Sequence, residues 1–508
     1  VPAGIDRRVV LGGVVLGSMA ISLDLTIVNV ALPSIRADLG GDIETIQWVA
    51  SLYSLAFAVF LVPAGRLVDL IGPRRTFLIG AGTYAAASLL AGAAPDDLVL
   101  ILARIPQGVG AALIGPAGIA LTTRLYAEDE RGPVFGIVGA ALGLTAGIGP
   151  LVGGLLTDTV GWRAIFLVNV PVLLSAMAVV RRAPADRDAD TDRTVDLDLG
   201  GTALFGLAVL GIELALIEVN RLGVWPFGVI GICVSVLAGL ALRRSDRRRD
   251  VPLIDVDLLR DRDVRACMLA KFVLGFAYSG MTLYLVLYMQ GTLGLSAVQT
   301  GLVLMPAALI GVVLSPTIGR LAETDAARPL AVAGLACTAV ALYVLALLDS
   351  ASSVFWHLLP GLLLVGLGFA FTSIPTRVIP LDSFPESLHG RISGLSSMTG
   401  KLAGGFGVAV AALIFHQRST PRAADAIEST DTGGLSVADI VGCLAVDDLA
   451  THVERSVKSL SDVSRSALTV VIEDTYVTVL GDIFVILGTV AAIGAVIVWR
   501  LLRRTPPA

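Results

Sequence analysis

The sequence is short of charge: only 16% of its 508 residues are Asp, Glu, Lys or Arg, against about a quarter in soluble domains. Hydrophobic residues make up 55%, and the mean hydropathy is +0.83. This balance excludes an ordinary water-soluble core. Cysteine is scarce as well. Cys233, Cys267 and Cys337 fall in apolar stretches and Cys443 in a polar one; no two sit at metal or redox spacing, which argues against a disulfide framework. The four histidines (His357, His389, His416, His452) are equally scattered, so no metal site is expected. Lysine is rarer still: apart from Lys271, Lys401 and Lys458, all of the 37 basic residues are arginine, a bias that suggests a GC-rich bacterial genome. A membrane enzyme would need His, Cys or paired carboxylates clustered near an interface, and the sequence shows no such cluster. No cofactor and no nucleic-acid partner are expected.

What the sequence does have is long apolar runs. A helix rising about 1.5 Å per residue needs about 20 apolar residues to cross a hydrocarbon layer about 30 Å thick. Fourteen windows meet that length, at 9–33, 46–66, 76–94, 98–123, 132–157, 162–181, 199–220, 224–243, 265–291, 297–320, 328–348, 355–380, 389–416 and 475–502. The first is too long for a signal-peptide core and lacks a small-residue cleavage site, so it reads as a retained helix. Val1 in place of a start methionine suggests a trimmed or processed N-terminus. An even number of spans puts both termini on one side, and arginine placement picks the side. Arg7, Arg8, Arg74, Arg75, Arg124, Arg131, the 182–198 and 244–264 joints, and Arg500, Arg503 and Arg504 share it, whereas the joints opposite hold single arginines such as Arg36 and Arg221. Both termini are therefore expected in the cytoplasm of a bacterial cell, with the chain multi-pass in its plasma membrane.

The two long joints bracket spans seven and eight, which divides the chain into three parts. These are an N-terminal six-helix bundle (1–181), a linker with two inserted helices (182–264) and a C-terminal six-helix bundle (265–508). The last includes a polar extracellular segment, 417–474, between helices 13 and 14. An internal echo supports the duplication: Gly65-Arg66-Leu67-Val68-Asp69 follows span two, and Gly319-Arg320-Leu321-Ala322-Glu323 ends span ten, at the same place in each half. Within 417–474, apolar residues from Val437 to Leu460 recur near helical spacing, open to a mobile tether or a short helical hairpin on the outer mouth.

Several charges lie too deep to be casual. Asp24 stands nine residues before Pro33, about 13 Å inside span one. A carboxylate there costs roughly 2.5–3.5 kcal/mol on insertion scales and needs a partner or a task. Arg104 lies at similar depth in span four, and Gln107 shares its face one turn on. Lys401 is twelve residues into span thirteen, too deep to snorkel, whereas Lys271 is near enough to the cytoplasmic end to do so. Tyr284, Tyr288 and Gln290 could line a central cavity or simply pack. Glu213 is deep in the inserted pair, on a helix expected outside the core bundles, and its role is open.

Five local patterns carry a resemblance. Leu23-Asp24-Leu25-Thr26-Ile27-Val28-Asn29-Val30-Ala31-Leu32-Pro33 lies in span one, and Gly65-Arg66-Leu67-Val68-Asp69-Leu70-Ile71-Gly72-Pro73-Arg74-Arg75 follows span two. Span four has Arg104-Ile105-Pro106-Gln107-Gly108-Val109-Gly110, span five Gly149-Pro150-Leu151-Val152-Gly153-Gly154, and Trp162-Arg163 through Asn169-Val170-Pro171 opens span six. In this order the chain resembles the fourteen-helix drug:proton antiporter family (EmrB/QacA type) of the major facilitator superfamily. It departs at Thr145, where the family pattern has glycine, at Pro73, where a basic residue is common, and at Glu323, which replaces aspartate.

The resemblance implies an all-α integral membrane fold of two six-helix bundles plus an inserted pair, a monomer that exports a small lipophilic, cationic compound by alternating access. The proton gradient supplies the energy. It further implies proton coupling at Asp24 and Arg104 and a substrate cavity involving Asn29, Gln107, Tyr284, Tyr288 and Lys401. Gating would fall to Asp69, Arg74, Arg75, Gly149, Pro150, Gly153 and Gly154. The alternatives are export of a lipid or endogenous metabolite, or a non-transporting sensor whose working part is 417–474. Deletion of that segment separates the last from the others: efflux from cells should largely survive if the helices do the work, and its loss would favour the sensor.

Overall fold

The computed structural model describes residues 6–40, 43–184, 198–222, 225–247, 252, 257–322, 324–347, 354–380, 384, 386–429 and 462–503. Glu323 and the 430–461 stretch, where a tether and a hairpin were both open, lie outside them. All described regular structure is helical, as it must be where no water is present to satisfy backbone groups. The first part holds α1 (Arg7–Leu39), α2 (Ile43–Ile71), α3 (Pro73–Gly92), α4 (Asp97–Leu125), α5 (Glu128–Thr159), α6 (Arg163–Leu167) and α7 (Asn169–Val180). The inserted pair is α8 (Leu199–Leu222) and α9 (Trp225–Asp246). The last part holds α10 (Arg262–Leu287), α11 (Ala297–Ala322), α12 (Ala327–Leu345), α13 (Val354–Ser373), α14 (Pro375–Val378), α15 (Glu386–Ser429) and α16 (Asp462–Leu502).

Twelve helices among the described residues are long and apolar enough to cross a membrane. Helices also stand at the other two expected places, α3 and α5, but they are not among the twelve. Two expected spans are broken by proline, which has no N–H to give the carbonyl four residues back. Pro171 divides 162–181 into α6 and α7, and Pro375 divides 355–380 into α13 and α14. A π-turn over Tyr288–Thr292 closes α10. The segment 417–474 is not wholly outside helix, because α15 continues to Ser429 and α16 starts at Asp462. Its charges are used between these two helices: Arg422 donates to Asp482 at 2.8 Å, with Arg418 3.9 Å away.

Side-chain pairs fix which helix ends lie together. At the start of α1, Arg7 donates twice to Glu130 at the start of α5 (2.6 and 2.7 Å). At its other end Asp38 accepts from Trp162 and Arg163, and Arg163 also reaches Ala94 after α3. Gln290, past the end of α10, donates to the Val30 carbonyl at 2.8 Å, while Arg262 at the start of α10 donates to the Arg500 carbonyl. The first and last helices therefore have their outer ends on one side, hereafter proximal; the opposite side is distal. Gly72, at φ +88°, makes the turn from α2 to α3 in a region that side chains rarely enter.

The two parts meet along α5–α11, α2–α15 and α1–α10. Glycine sets the packing on both faces of α5. A side chain at Gly149 would strike Thr26 of α1, and one at Gly153 would stand 2.8 Å from Ile27. On the other face of α5, Gly154 meets the Ala297 carbonyl, while Gly301 of α11 meets that of Pro150. Asp158 accepts from the Val298 amide at 3.0 Å. All of these are distal. Nearer the termini, a side chain at Gly139 or Gly319 would meet nothing within 4 Å. Thr145 is buried and turns its hydroxyl back onto the Ala141 carbonyl at 2.7 Å, so its polarity is satisfied within α5.

Overpacking such a seam costs about 1–3 kcal/mol. Gly154→Val is therefore expected to part the distal ends of α5 and α11, whereas Gly139→Val should leave them unchanged. Distances between spin labels on the two helices check this; a Gly154→Val protein with an unaltered distal distance would refute it.

Candidate functional site

Five helices of the first half converge on one buried polar network. Asp24 of α1 is wholly buried and Arg104 of α4 nearly so. Arg104 Nη1 donates to Asp24 Oδ2 at 2.6 Å and to Gln107 Oε1 at 2.9 Å, while its Nε donates to the Val49 carbonyl of α2 at 3.0 Å. Gln107 passes the chain on, its Nε2 donating to Ser88 Oγ of α3 at 2.9 Å. Asn169, the first residue of α7, points Nδ2 at Asp24 Oδ1 from 3.4 Å. The guanidinium carbon lies 4.5 Å from the centroid of the Tyr53 ring and 5.7 Å from that of Phe166. Tyr84 packs on Tyr53 (6.2 Å between centroids) and donates to the Ala20 carbonyl.

This arrangement satisfies a charge pair that would be costly alone. A buried ion pair holds only if further hydrogen bonds meet its remaining lone pairs and protons, and aromatic faces help to cover a desolvated cation. The close backbone approach comes from α4. A side chain at Gly108 would collide with the Tyr53 carbonyl at 2.5 Å and the Phe57 amide at 2.9 Å, and one at Gly110 would lie 2.7 Å from the Gly80 carbonyl.

The other expected site residues fall into separate groups. Gln107 is fully buried and bonded at both ends of its amide, so it is a member of the network and not of a cavity wall. Tyr284 and Tyr288 are likewise not on an open wall, at 1% and 3% exposure. Tyr284 packs on Phe415 (5.1 Å), Tyr288 stacks on Tyr476 (6.0 Å), and Tyr476 donates to the Tyr284 carbonyl. Lys271 does not snorkel: its ammonium donates to Ser396 of α15. Asn29 is half-buried, with its amide directed to the Leu25 carbonyl at 3.4 Å. Lys401 is half-buried with Nζ 5.0 Å from the Phe57 ring centroid, across the α2–α15 seam. Asp69 and Arg75 are exposed at the α2–α3 turn, and Arg74 there donates to the Arg181 carbonyl. Gly149 and Gly153 pack on α1, whereas Pro150 and Gly154 meet α11 at the distal seam. Among the described residues, no group of three or more His, Cys, Asp or Glu could hold a metal.

Ser88, Tyr53 and Tyr84 were not singled out by sequence, and Asn169 entered only as part of a motif. Each is a polar residue in an apolar run, a signal that shows a buried demand but not which neighbour meets it.

Comparison with known proteins agrees with this architecture. Among solved structures, a bacterial homologue of the human lysosomal transporter Spinster, described as inward-facing and unoccupied, superposes with a TM-score of 0.66 at 14% identity, covering 99% of each chain. A structure from work on proton dependent oligopeptide transporters gives 0.62 at 15%, over 98% of this chain and 99% of that one. By sequence, the puromycin resistance protein pur8 of Streptomyces alboniger is 36% identical over 77% of this chain and 78% of its own. The probable actinorhodin transporter of Streptomyces coelicolor is 33% identical over 82% and 73%. The tetracenomycin C resistance and export protein of Streptomyces glaucescens is 28% identical over 95% and 89%. The profile of the Major Facilitator Superfamily matches residues 14–408, and with relatives that carry drug-resistance and export names over most of its length, this chain belongs to that superfamily of membrane transporters.

Proposed function

We propose that the protein is a proton-coupled exporter that works by alternating access, with fourteen membrane helices and both termini cytoplasmic in the bacterial plasma membrane. Its substrates are lipophilic drug-like compounds, cationic ones included. It acts as a monomer and needs no cofactor beyond the proton gradient. The observation that carries this reading is the wholly buried Asp24 carboxylate held by Arg104 at 2.6 Å, in a chain whose relatives bear resistance and export names.

An inward proton recovers about 2.3 kcal/mol per 100 mV of membrane potential, and each pH unit adds about 1.4 kcal/mol. Protonation of Asp24 from outside breaks its pairing with Arg104, releases substrate and permits return to the inward-facing state. Asn29 and Lys401 would face the substrate. Asp69, Arg74 and Arg75 would latch the cytoplasmic side, and the Gly149–Gly154 seam would close the outer one. Export of an endogenous metabolite is a second reading, favoured by relatives named for a single compound such as actinorhodin or tetracenomycin C.

Two outcomes are expected. Ethidium efflux from vesicles should follow an imposed pH gradient in the parent and lose that dependence in Asp24→Asn; full gradient-driven efflux in the variant would remove Asp24 from the coupling. No efflux from the parent would move the substrate to the metabolite class. Arg104→Ala leaves a buried carboxylate without its partner, a loss of about 3–5 kcal/mol. Thermal unfolding of Arg104→Ala should therefore fall well below that of the parent, while the Asp24→Asn/Arg104→Gln double variant should recover much of the difference.

A further inference from the structure

The inserted pair contains a buried acid that the network around Asp24 does not use. Glu213 is 0% exposed, and neither of its carboxylate oxygens has a hydrogen-bond partner. Its helix, α8, packs on α9 and also on α2 and α15, so it is seated between helices of both halves and not outside them. Opposite the carboxylate, α15 carries glycine. A methyl group at Gly405 would stand 2.8 Å from Glu213 Oε1 and 3.1 Å from Leu55 Cδ2 of α2. The carboxyl group is thus enclosed by one helix from each half, at the seam where those halves meet. Even a methyl group at Gly405 would crowd the carboxyl, and the ligand that fits is a proton.

The charged groups on the surrounding helices do not answer it. On α9, Ser235 and Gly231 make the contact with α8 at Gly211 and Ala215, and Arg243, Arg244 and Asp246 come two turns or more later. On α2, Arg66 and Asp69 are about three and four turns beyond Leu55, and Tyr53 is turned to Arg104. On α15, Lys401 is one turn before Gly405, with its ammonium over Phe57. On α8 itself, Asp198 before the first turn accepts from the Gly201 amide. Among the described residues, no ion pair and no hydrogen bond reaches Glu213.

An ionised carboxylate taken from water without a partner costs several kcal/mol, whereas a neutral acid costs far less. We propose that Glu213 is a second proton-binding site, separate from Asp24, that is protonated while α2 and α15 are closed over it. When that seam opens, the O–H bond breaks, the proton passes to water and the electron pair stays on the carboxylate. Lys401, a turn away on α15, then faces the new negative charge. The inserted pair is on this view a proton-dependent latch across the two halves.

The test needs no substrate, so its result is independent of what the protein exports. Infrared difference spectra of the full-length protein in lipid nanodiscs, titrated in pH, should show the carbonyl stretch of a neutral carboxylic acid at neutral pH. That band should persist in Asp24→Asn and vanish in Glu213→Gln; a band retained in Glu213→Gln, or absent from the parent, would overturn the proposal. Spin labels on α2 and α15 give the second readout. Their separation should increase with pH in the parent and stay at the closed value in Glu213→Gln, and an identical pH response in both proteins would count against the latch. If the Gln variant does not fold, Glu213→Met, apolar and of similar reach, must remove the same band and the same response.

Discussion

The constraint that organises the first half is the price of a charge away from water. A carboxylate at the depth of Asp24 is held only if a cation, hydrogen bonds and a dry aromatic cover are all brought to it. Each of these comes from a different helix: the cation from α4, an amide from α7, the backbone acceptor for the cation from α2, and the end of the hydrogen-bond chain from α3. The pair is therefore more than an interaction between α1 and α4. Satisfying it fixes the rotation of five helices about their axes, because a rotation of any one by a residue step would withdraw a partner. Lipid supplies no hydrophobic force to draw apolar helices together, and here the polar centre supplies orientation.

Small residues supply the approach. Where Gly108 and Gly110 stand, backbone atoms of α2 and α3 occupy the space of a side chain, which is what allows Arg104 to reach the Val49 carbonyl. The same device seats α5 on α1 at Gly149 and Gly153 and joins the halves at Gly154 and Gly301, the latter with a different consequence. In the first half the glycines surround a satisfied charge and the packing is locked. At the α5–α11 seam they are backed by little polar contact beyond Asp158 and the Val298 amide, so the surfaces are complementary without being tied. In the proposed cycle, that difference separates the part that stays together from the joint that moves.

Much of this was legible in the sequence, for reasons that can be named. The depth of Asp24 and Arg104 follows from counting residues along apolar runs, and the pairing of Arg104 with Gln107 from helical spacing. Gly149, Gly153 and Gly154 were singled out through the motif that carries the resemblance, and the turn at Gly72 was not read at all. What was not legible depends on which face of a helix meets which neighbour. Tyr284 and Tyr288 have the composition of a cavity wall, yet aromatic partners from α15 and α16, remote in sequence, bury them. Composition likewise does not show that Arg418 and Arg422 are used by Asp482, along helices that run on past the apolar limit. The position of α8 on α2 and α15 has no local signature at all.

The two deep acids illustrate why position relative to the seams matters more than depth. Asp24 lies inside one half, where every partner belongs to helices of that half, so in the proposed cycle rocking leaves its neighbours in place and a proton is what changes its state. Glu213 lies where α8 touches both α2 and α15, so any motion that parts these helices alters its solvation directly. A site of the first kind couples proton binding to local chemistry, and a site of the second couples it to the global conformation. An antiporter needs both couplings, since a proton that changes binding without changing access would only be exchanged at one face. In a chain with an inserted helix pair, a carboxylate seated on both halves is where the second coupling can be made without disturbing the first.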